Sequence, residues 1–242
     1  MRLDKFLVDC GLGSRTEVKQ LLKKKIVTVN GAVQHSPKLQ IDSDADVVAV
    51  DGRILTHEDF VYYLLNKPQG VISATEDKVH RTVLDLLDDI ARHKQVFPVG
   101  RLDIDTEGLL LLTNNGLLAH AMLSPKKHVD KRYLAHVSGL MDVDDVLAFE
   151  KGISLSDHDC QPAILEVLEL HPEHKSCQVE IVIREGKFHQ VKRMVAARGK
   201  KVVALKRLSM GPLQLDSQLK TGAWRRLTTQ ETQLLEQFGV PL

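Results

Sequence analysis

Along the first twenty-five residues the apolar side chains return at helical spacing. Leu3, Phe6, Leu7 and Cys10 share one face until Gly11 and Gly13 break the pattern, and Val18, Leu21 and Leu22 form a second stripe. Ser14 and Glu17 make an S-x-x-E capping box ahead of that second helix, in which each side chain can satisfy an amide left free at the helix start. Then the period changes. In IVTVNGAVQ the dipeptide Asn30-Gly31 stands between two β-rich runs and tolerates the positive φ angles of a tight hairpin. Two helices leading into a small sheet are therefore predicted over residues 1–56. The stretch THEDF loses apolar periodicity, as a linker would, which places a linker at 57–61 and a second domain at 62–242. There VYYLLNKPQG, LLLLT, RYLAHVSG, AILEVLEL, CQVEIVI, KVVAL and LQLD read as strands, with helical stretches near 117–123, 143–151 and 189–198. A further capping box, Thr228 with Glu231, should open the last helix. Strands outnumber helices and do not alternate strictly with them. An α+β fold with a mixed, largely antiparallel sheet is expected, rather than a Rossmann-type sheet.

With 242 residues, 43% of them hydrophobic, the chain can bury one large core and one small one. No run of eighteen apolar residues occurs and MRLDKFLVDC is charged, so a soluble, cytoplasmic protein without membrane contact is expected. Cys10, Cys160 and Cys177 lie far apart with no CxxC pair, which suggests neither a disulfide framework nor a zinc site. The net charge of +1 hides segregation: residues 1–25 carry seven Lys or Arg against three acids, and residues 184–226 carry twelve against two. Between 140 and 185 the balance reverses, to eleven acids against three bases. One side of the molecule should attract phosphate. Arg15, Lys19 and Lys23 fall four residues apart on one helical face, and Lys24 extends it. Taken alone, such lysines read more readily as the solvated surface of an ordinary helix.

FPVGRLDIDTEGLLLLTNNG is the segment richest in candidate chemistry, because Arg101 and three acids, Asp103, Asp105 and Glu107, sit in a loop just before a very apolar strand. By itself this cluster reads as a solvated turn. The eleven histidines include no HExxH or comparable spacing, so no metal is expected.

The motifs together change the weight of that loop. GRLD, at Gly100 to Asp103, resembles the active-site signature of the RsuA family of RNA pseudouridine synthases, and other stretches agree in order. MRLDKFL is similar to the start of the S4-type RNA-binding module that precedes the catalytic domain in that family. NKPQG resembles its first catalytic-domain motif, SPKKHVDKRYLAHV the segment that carries its active-site tyrosine, and EGKFHQVKRM its third motif. LSPKKH and GKFHQVKRM look most similar to the small-subunit enzymes, since large-subunit branches usually carry arginine where Lys192 stands.

The resemblance implies a cofactor-free isomerase. Asp103 would act at the ribose C1′ as nucleophile, Lys192 would keep it ionised with Arg101 supporting the loop, and Tyr133 and Leu205 would flank a flipped-out uracil. RNA contacts are expected from Arg2, Lys5, Arg15, Lys19, Lys23 and Lys24 in the N-terminal module, and from Lys67, Lys126, Lys127, His189, Gln190 and Arg193 in the second domain. The implied partner is ribosomal RNA, of the small subunit or an assembly intermediate, bound by a monomer. Two other readings compete: a non-catalytic S4-type RNA-binding protein, and a synthase acting on large-subunit rRNA.

Overall fold

The computed structural model describes residues 1–242, which separate into two compact units. The first comprises Met1–Val61 together with Leu87–Val96. Its helices α1 (Leu3–Asp9) and α2 (Arg15–Lys23) bury Leu3, Phe6, Leu7, Val18 and Leu22, the apolar positions whose spacing predicted them apart from the half-buried Leu21 and Cys10. The box at the start of α2 is formed: Ser14 N donates to Glu17 Oε2 at 2.7 Å and Glu17 N to Ser14 Oγ at 3.4 Å. Strands β1 (Val27–Val29), β2 (Ala32–Val33), β3 (Val48–Val50) and β4 (Arg53–Ile54) form an antiparallel sheet in the order β2-β1-β3-β4. Val29 pairs with Ala32 across Asn30 and Gly31, whose φ angles of 51° and 80° make the two-residue turn.

Two segments differ from the sequence reading. His57, in the expected linker, stacks on Phe6 with ring centroids 5.5 Å apart. Leu87–Val96, assigned above to the second domain, packs with the first unit. Its short helix α3 (Asp89–His93) sets Ile90 so tightly over Gly11 that a Cβ there would lie 2.7 Å from Ile90 Cγ1. Lys94 Nζ also donates to Glu58 O at 2.6 Å.

The second unit, Tyr62–Leu86 with Phe97–Leu242, is built on a nine-stranded sheet. In chain order its elements are β5 (Tyr62–Lys67), β6 (Phe97–Pro98), β7 (Thr106–Thr113), α4 (Gly116–Leu123), β8 (Lys131–Ser138), α5 (Val143–Lys151), β9 (Ile164–His171), β10 (Ser176–Ile183), α6 (Gln190–Ala197), β11 (Lys201–Met210), β12 (Leu213–Gln214), β13 (Trp224–Arg226) and α7 (Thr229–Leu234). The path runs β13-β5-β7-β11-β8-β10-β9, with β6 on β7 and β12 on β11. Every pair is antiparallel except β7 with β11. That gives the mixed, largely antiparallel sheet of an α+β fold. No helix is long and apolar enough to cross a membrane.

The parallel pair positions the site. Thr106, which opens β7, lies opposite Leu205 of β11, and Ala135 of β8 lies across from Leu205 on the other side. Gly108 is obligatory there, since a Cβ would stand 2.2 Å from Arg207 O of β11. Tyr133 of β8 pairs with Arg207, so Tyr133 and Leu205 come from adjacent strands at the place where the acidic loop enters β7.

Candidate active site

The loop before β7 carries three groups with different fates. Leu102 is buried, Arg101 is exposed, and Asp103 lies between them with 29% of its side chain accessible. Backbone and side-chain donors fix the loop from below. Gly70 N donates to Ile104 O at 2.8 Å, Ser73 Oγ donates to Leu102 O at 2.9 Å, and Leu102 N donates back to Ser73 Oγ at 3.0 Å. Lys67 supplies the deepest tie. It is fully buried, and its Nζ donates to Pro68 O, Asp103 O and Thr106 O, each at 3.0 Å. Burial pulls this lysine down to about 8, although Asp103, Asp105 and Glu107 work against the shift.

Above the loop, Lys192 of α6 reaches the half-buried Asp103 and the exposed Asp105. Its Nζ lies 3.1 Å from Asp103 Oδ2 and 2.6 Å from Asp105 Oδ1. Partial burial pushes this ammonium down, but its hydrogen bonds to Asp105 and Asp103 outweigh that and raise it above the ordinary lysine value. Asp105 is held below the usual carboxylate range, chiefly by its hydrogen bond from Lys192. His189 Nε2 stands 3.6 Å from the other Asp103 oxygen, Oδ1.

Asp103, Tyr133, Lys192 and Leu205 line one narrow recess, with Tyr133 7% and Leu205 6% exposed. Next to it opens a cleft of about 980 Å³, which shares Asp103, Arg101 and His189 with the recess. An anionic oxygen with an ammonium neighbour, at the mouth of a recess with an aromatic and an aliphatic wall, can stabilise positive charge on a bound ligand or bond to its electrophilic carbon.

Several expected RNA contacts have other partners. Lys67 is buried under the loop and cannot reach a phosphate. Gln190, 3% exposed, donates to Glu185 Oε1 at 2.6 Å and accepts from Lys187 N at 3.0 Å, which locks the approach to α6. Arg193 is ion-paired with Asp157. Arg101 faces the cleft, and bracing of the loop falls instead to Lys67 and Ser73, whose part was not foreseen. Arg2 pairs with Asp4 at 2.6 Å, whereas Lys5, Arg15, Lys19, Lys23 and Lys24 are exposed, as are Lys126 and Lys127 on a turn after α4. The basic stretch 184–226 is also less free than its count suggests. Buried Asp145 of α5 takes Arg198 at 2.8 Å and Lys200 at 2.6 Å, while Glu231 takes Arg225 at 2.7 Å. All three cysteines are free.

Residues 61–197 match the family model of RNA pseudouridylate synthases, and residues 1–47 match that of the S4 domain. The chain is 44% identical to an uncharacterised RNA pseudouridine synthase of Bacillus subtilis, across 98% of this chain and 99% of that one. Identity to the ribosomal small subunit pseudouridine synthase A of Escherichia coli is 38%, covering 96% of this chain and 98% of the other. To the ribosomal large subunit pseudouridine synthase B of Bacillus subtilis it is 37%, covering 97% and 95%. Among solved structures, a crystal structure of a pseudouridylate synthase superposes with a TM-score of 0.67 at 35% identity, covering 97% of this chain and 99% of that one. A fold with this recess, these two matching models and full-length similarity at such identities leave one conclusion: the chain belongs to the RNA pseudouridine synthases, isomerases acting on RNA, and carries an S4 domain ahead of the catalytic fold.

Proposed function

We propose that this enzyme converts one uridine of small-subunit ribosomal RNA to pseudouridine, with Asp103 as the group that acts at the ribose C1′. The observation that carries the mechanism is the Asp103–Lys192 pair at 3.1 Å on the lip of a recess walled by Tyr133 and Leu205. Breaking the N1–C1′ bond develops positive charge on C1′, and a carboxylate at that carbon can stabilise the charge or bond to it. Lys192 places an ammonium 3.1 Å from that carboxylate and balances its charge at the edge of the recess. Uracil leaves as a delocalised anion, is retained between Tyr133 and Leu205, turns, and joins C1′ through C5; the C5 proton is then lost and N1 gains one. Atoms balance without a cofactor or metal.

A base inside structured RNA must leave its stack first, at a cost of about a few kcal/mol. The recess walls and cations holding flanking phosphates offset it. Small-subunit RNA is favoured by the 38% identity to the Escherichia coli small-subunit enzyme and by lysine at 192, while the similar identity to a large-subunit enzyme keeps that RNA as the second reading. We take the enzyme to act as a soluble cytoplasmic monomer.

The test uses small-subunit rRNA tritiated at uracil C5. Label released to water, followed by sequencing to a single position, is expected. Release from large-subunit rRNA alone would transfer the activity to the second reading.

The S4 unit should supply sequence-independent affinity through the exposed face of α2. Arg15, Lys19 and Lys23 replaced together by Gln should weaken RNA binding, and should flatten the dependence of log K on log salt by about 0.7 to 0.9 for each phosphate that is no longer neutralised. An unchanged slope in a filter-binding titration would show that this face does not meet RNA. Substitution is preferable to truncation here, because removing residues 1–56 would strip Ile90 of its packing.

A further inference from the structure

We propose that Phe188, with the His189 ring beneath it, is a stacking platform for the nucleobase adjacent to the target uridine. The inference rests on the function proposed above and adds a second base-binding subsite to it.

Phe188 is a large apolar side chain left 69% exposed in the turn before α6. Its ring lies on the imidazole of His189 with centroids 3.7 Å apart and planes at 20°, so one aromatic face is covered and the other is open. His189 is fixed in a left-handed conformation, φ 49°, as the residue preceding α6. Its Nε2 is 3.6 Å from Asp103 Oδ1, so the pair of rings begins at the carboxylate. Nothing in the fold of the second unit requires an exposed phenyl ring there; a polar residue would suit water better.

The position of the pair selects its ligand. Asp103, His189, Arg101 and Lys187 line both the recess and the larger cleft, whereas Tyr133 lines only the recess and Phe188 only the cleft. A ribose with its C1′ at Asp103 therefore has its own base in the recess beside Tyr133, and the chain leaves through the cleft past Phe188. Adjacent bases in a splayed single strand lose their mutual stack when one is flipped, and an open aromatic face replaces it. Lys187, 3.8 Å from Glu185 Oε2, and Arg184, which donates through Nε to Asp130 Oδ1 at 2.9 Å, are both half-exposed on the same cleft wall, and their remaining N–H donors suit the intervening phosphate. Stacking accepts any base, so the platform holds the strand without reading its sequence.

Three variants separate stacking from other roles of this side chain. Phe188→Ala should lower kcat/KM for tritium release from small-subunit rRNA by about 10- to 100-fold, mainly through KM, the range expected for the loss of one base stack. Phe188→Tyr should restore it, while Phe188→Leu, apolar but without a π face, should not. Salt dependence should match that of the unmodified enzyme, because every phosphate keeps its cation. In Phe188→Trp, the added indole emission above that of Trp224 should be quenched by single-stranded RNA.

A Phe188→Ala enzyme with unchanged kcat/KM would overturn the platform, and so would full rescue by Leu. A loss confined to kcat would overturn it too, by showing that the ring only props His189 against Asp103. The quench needs no turnover. Its absence refutes the platform whatever the activity, whereas quenching without label release from the unmodified enzyme refutes the substrate assignment and leaves the platform standing.

Discussion

Asp103→Asn is expected to leave a folded protein that binds RNA nearly as before, while tritium release falls by about four orders of magnitude or more. The substitution preserves shape and removes only the charge. Its backbone ties survive, since Lys67 Nζ and Thr106 N both donate to the carbonyl of residue 103 and not to its side chain. Lys192 is not stranded either, because Asp105 remains 2.6 Å from its Nζ and keeps the ammonium paired. Stability should therefore change by about 1 kcal/mol or less, and an activity loss cannot be charged to unfolding. An amide neither carries the negative charge that steadies C1′ nor forms the ester that a carboxylate can. RNA binding measured beside label release completes the test. If the Asn enzyme retained more than about one-hundredth of the rate, another group would have to act at C1′. If it released no label but also bound no RNA, the comparison would move to Asp103→Glu, which keeps the charge and displaces it by one methylene.

Much of this site was legible in sequence, because its parts are local patterns. The capping boxes at Ser14 and Thr228, the Asn30-Gly31 turn and α5 at Val143–Lys151 all formed where residue chemistry placed them. Motif order also brought Asp103, Tyr133, Lys192 and Leu205 to one recess from four separated segments. What escaped were relations across the chain. Lys67 ends a strand, YYLLNK, that is buried on both faces, and no alternation remained to distinguish a buried ammonium from a surface one. Charge counted along the sequence misled similarly. The acidic stretch 140–185 runs directly into the basic stretch 184–226 along the chain, and the fold brings carboxylates of the one against cations of the other: Asp145 meets Arg198 and Lys200, and Asp157 meets Arg193. Much of the apparent phosphate-binding charge is therefore neutralised inside the fold. Helix α3 was missed because DIARH spans little more than one turn and is defined by Ile90 meeting Gly11, a pairing no local window contains.

Lys67, first expected to touch RNA, should prove the most sensitive residue that never meets substrate. Its ammonium spans three carbonyls, two of them at either end of the turn from Asp103 to Thr106. Lys67→Met keeps the stem and deletes the donors. Leaving buried acceptors short of partners costs about 1 to 3 kcal/mol each, partly offset because no charge is then buried, so a net loss of roughly 2 to 4 kcal/mol is expected. A carboxylate displaced by about 1 Å can lose about 100-fold in rate, and kcat should fall at least that far. The same lysine should set an alkaline limit. Burial holds it at about 8 in the folded protein against 10.5 for an ordinary lysine, with Asp103, Asp105 and Glu107 opposing the shift and Lys192 adding to it. Above about pH 8 the neutral amine has two N–H donors for three carbonyls, and the positive charge under Asp103 is gone. Hence kcat should decline as pH rises through about 8, whereas Lys192, shifted upward, stays charged. Stability should move the other way. Between about 8 and 10.5 the unfolded chain binds more protons than the folded one, so the unfavourable contribution of Lys67 is full below 8 and is relieved as pH rises toward 10.5. Buried Lys131, also near 8, adds a parallel increment that persists in Lys67→Met. A pH profile of kcat beside denaturant unfolding at each pH separates the two trends. A kcat flat to about pH 10, or a Met variant as fast as the parent, would mean that the Asp103 loop holds its shape without this ammonium.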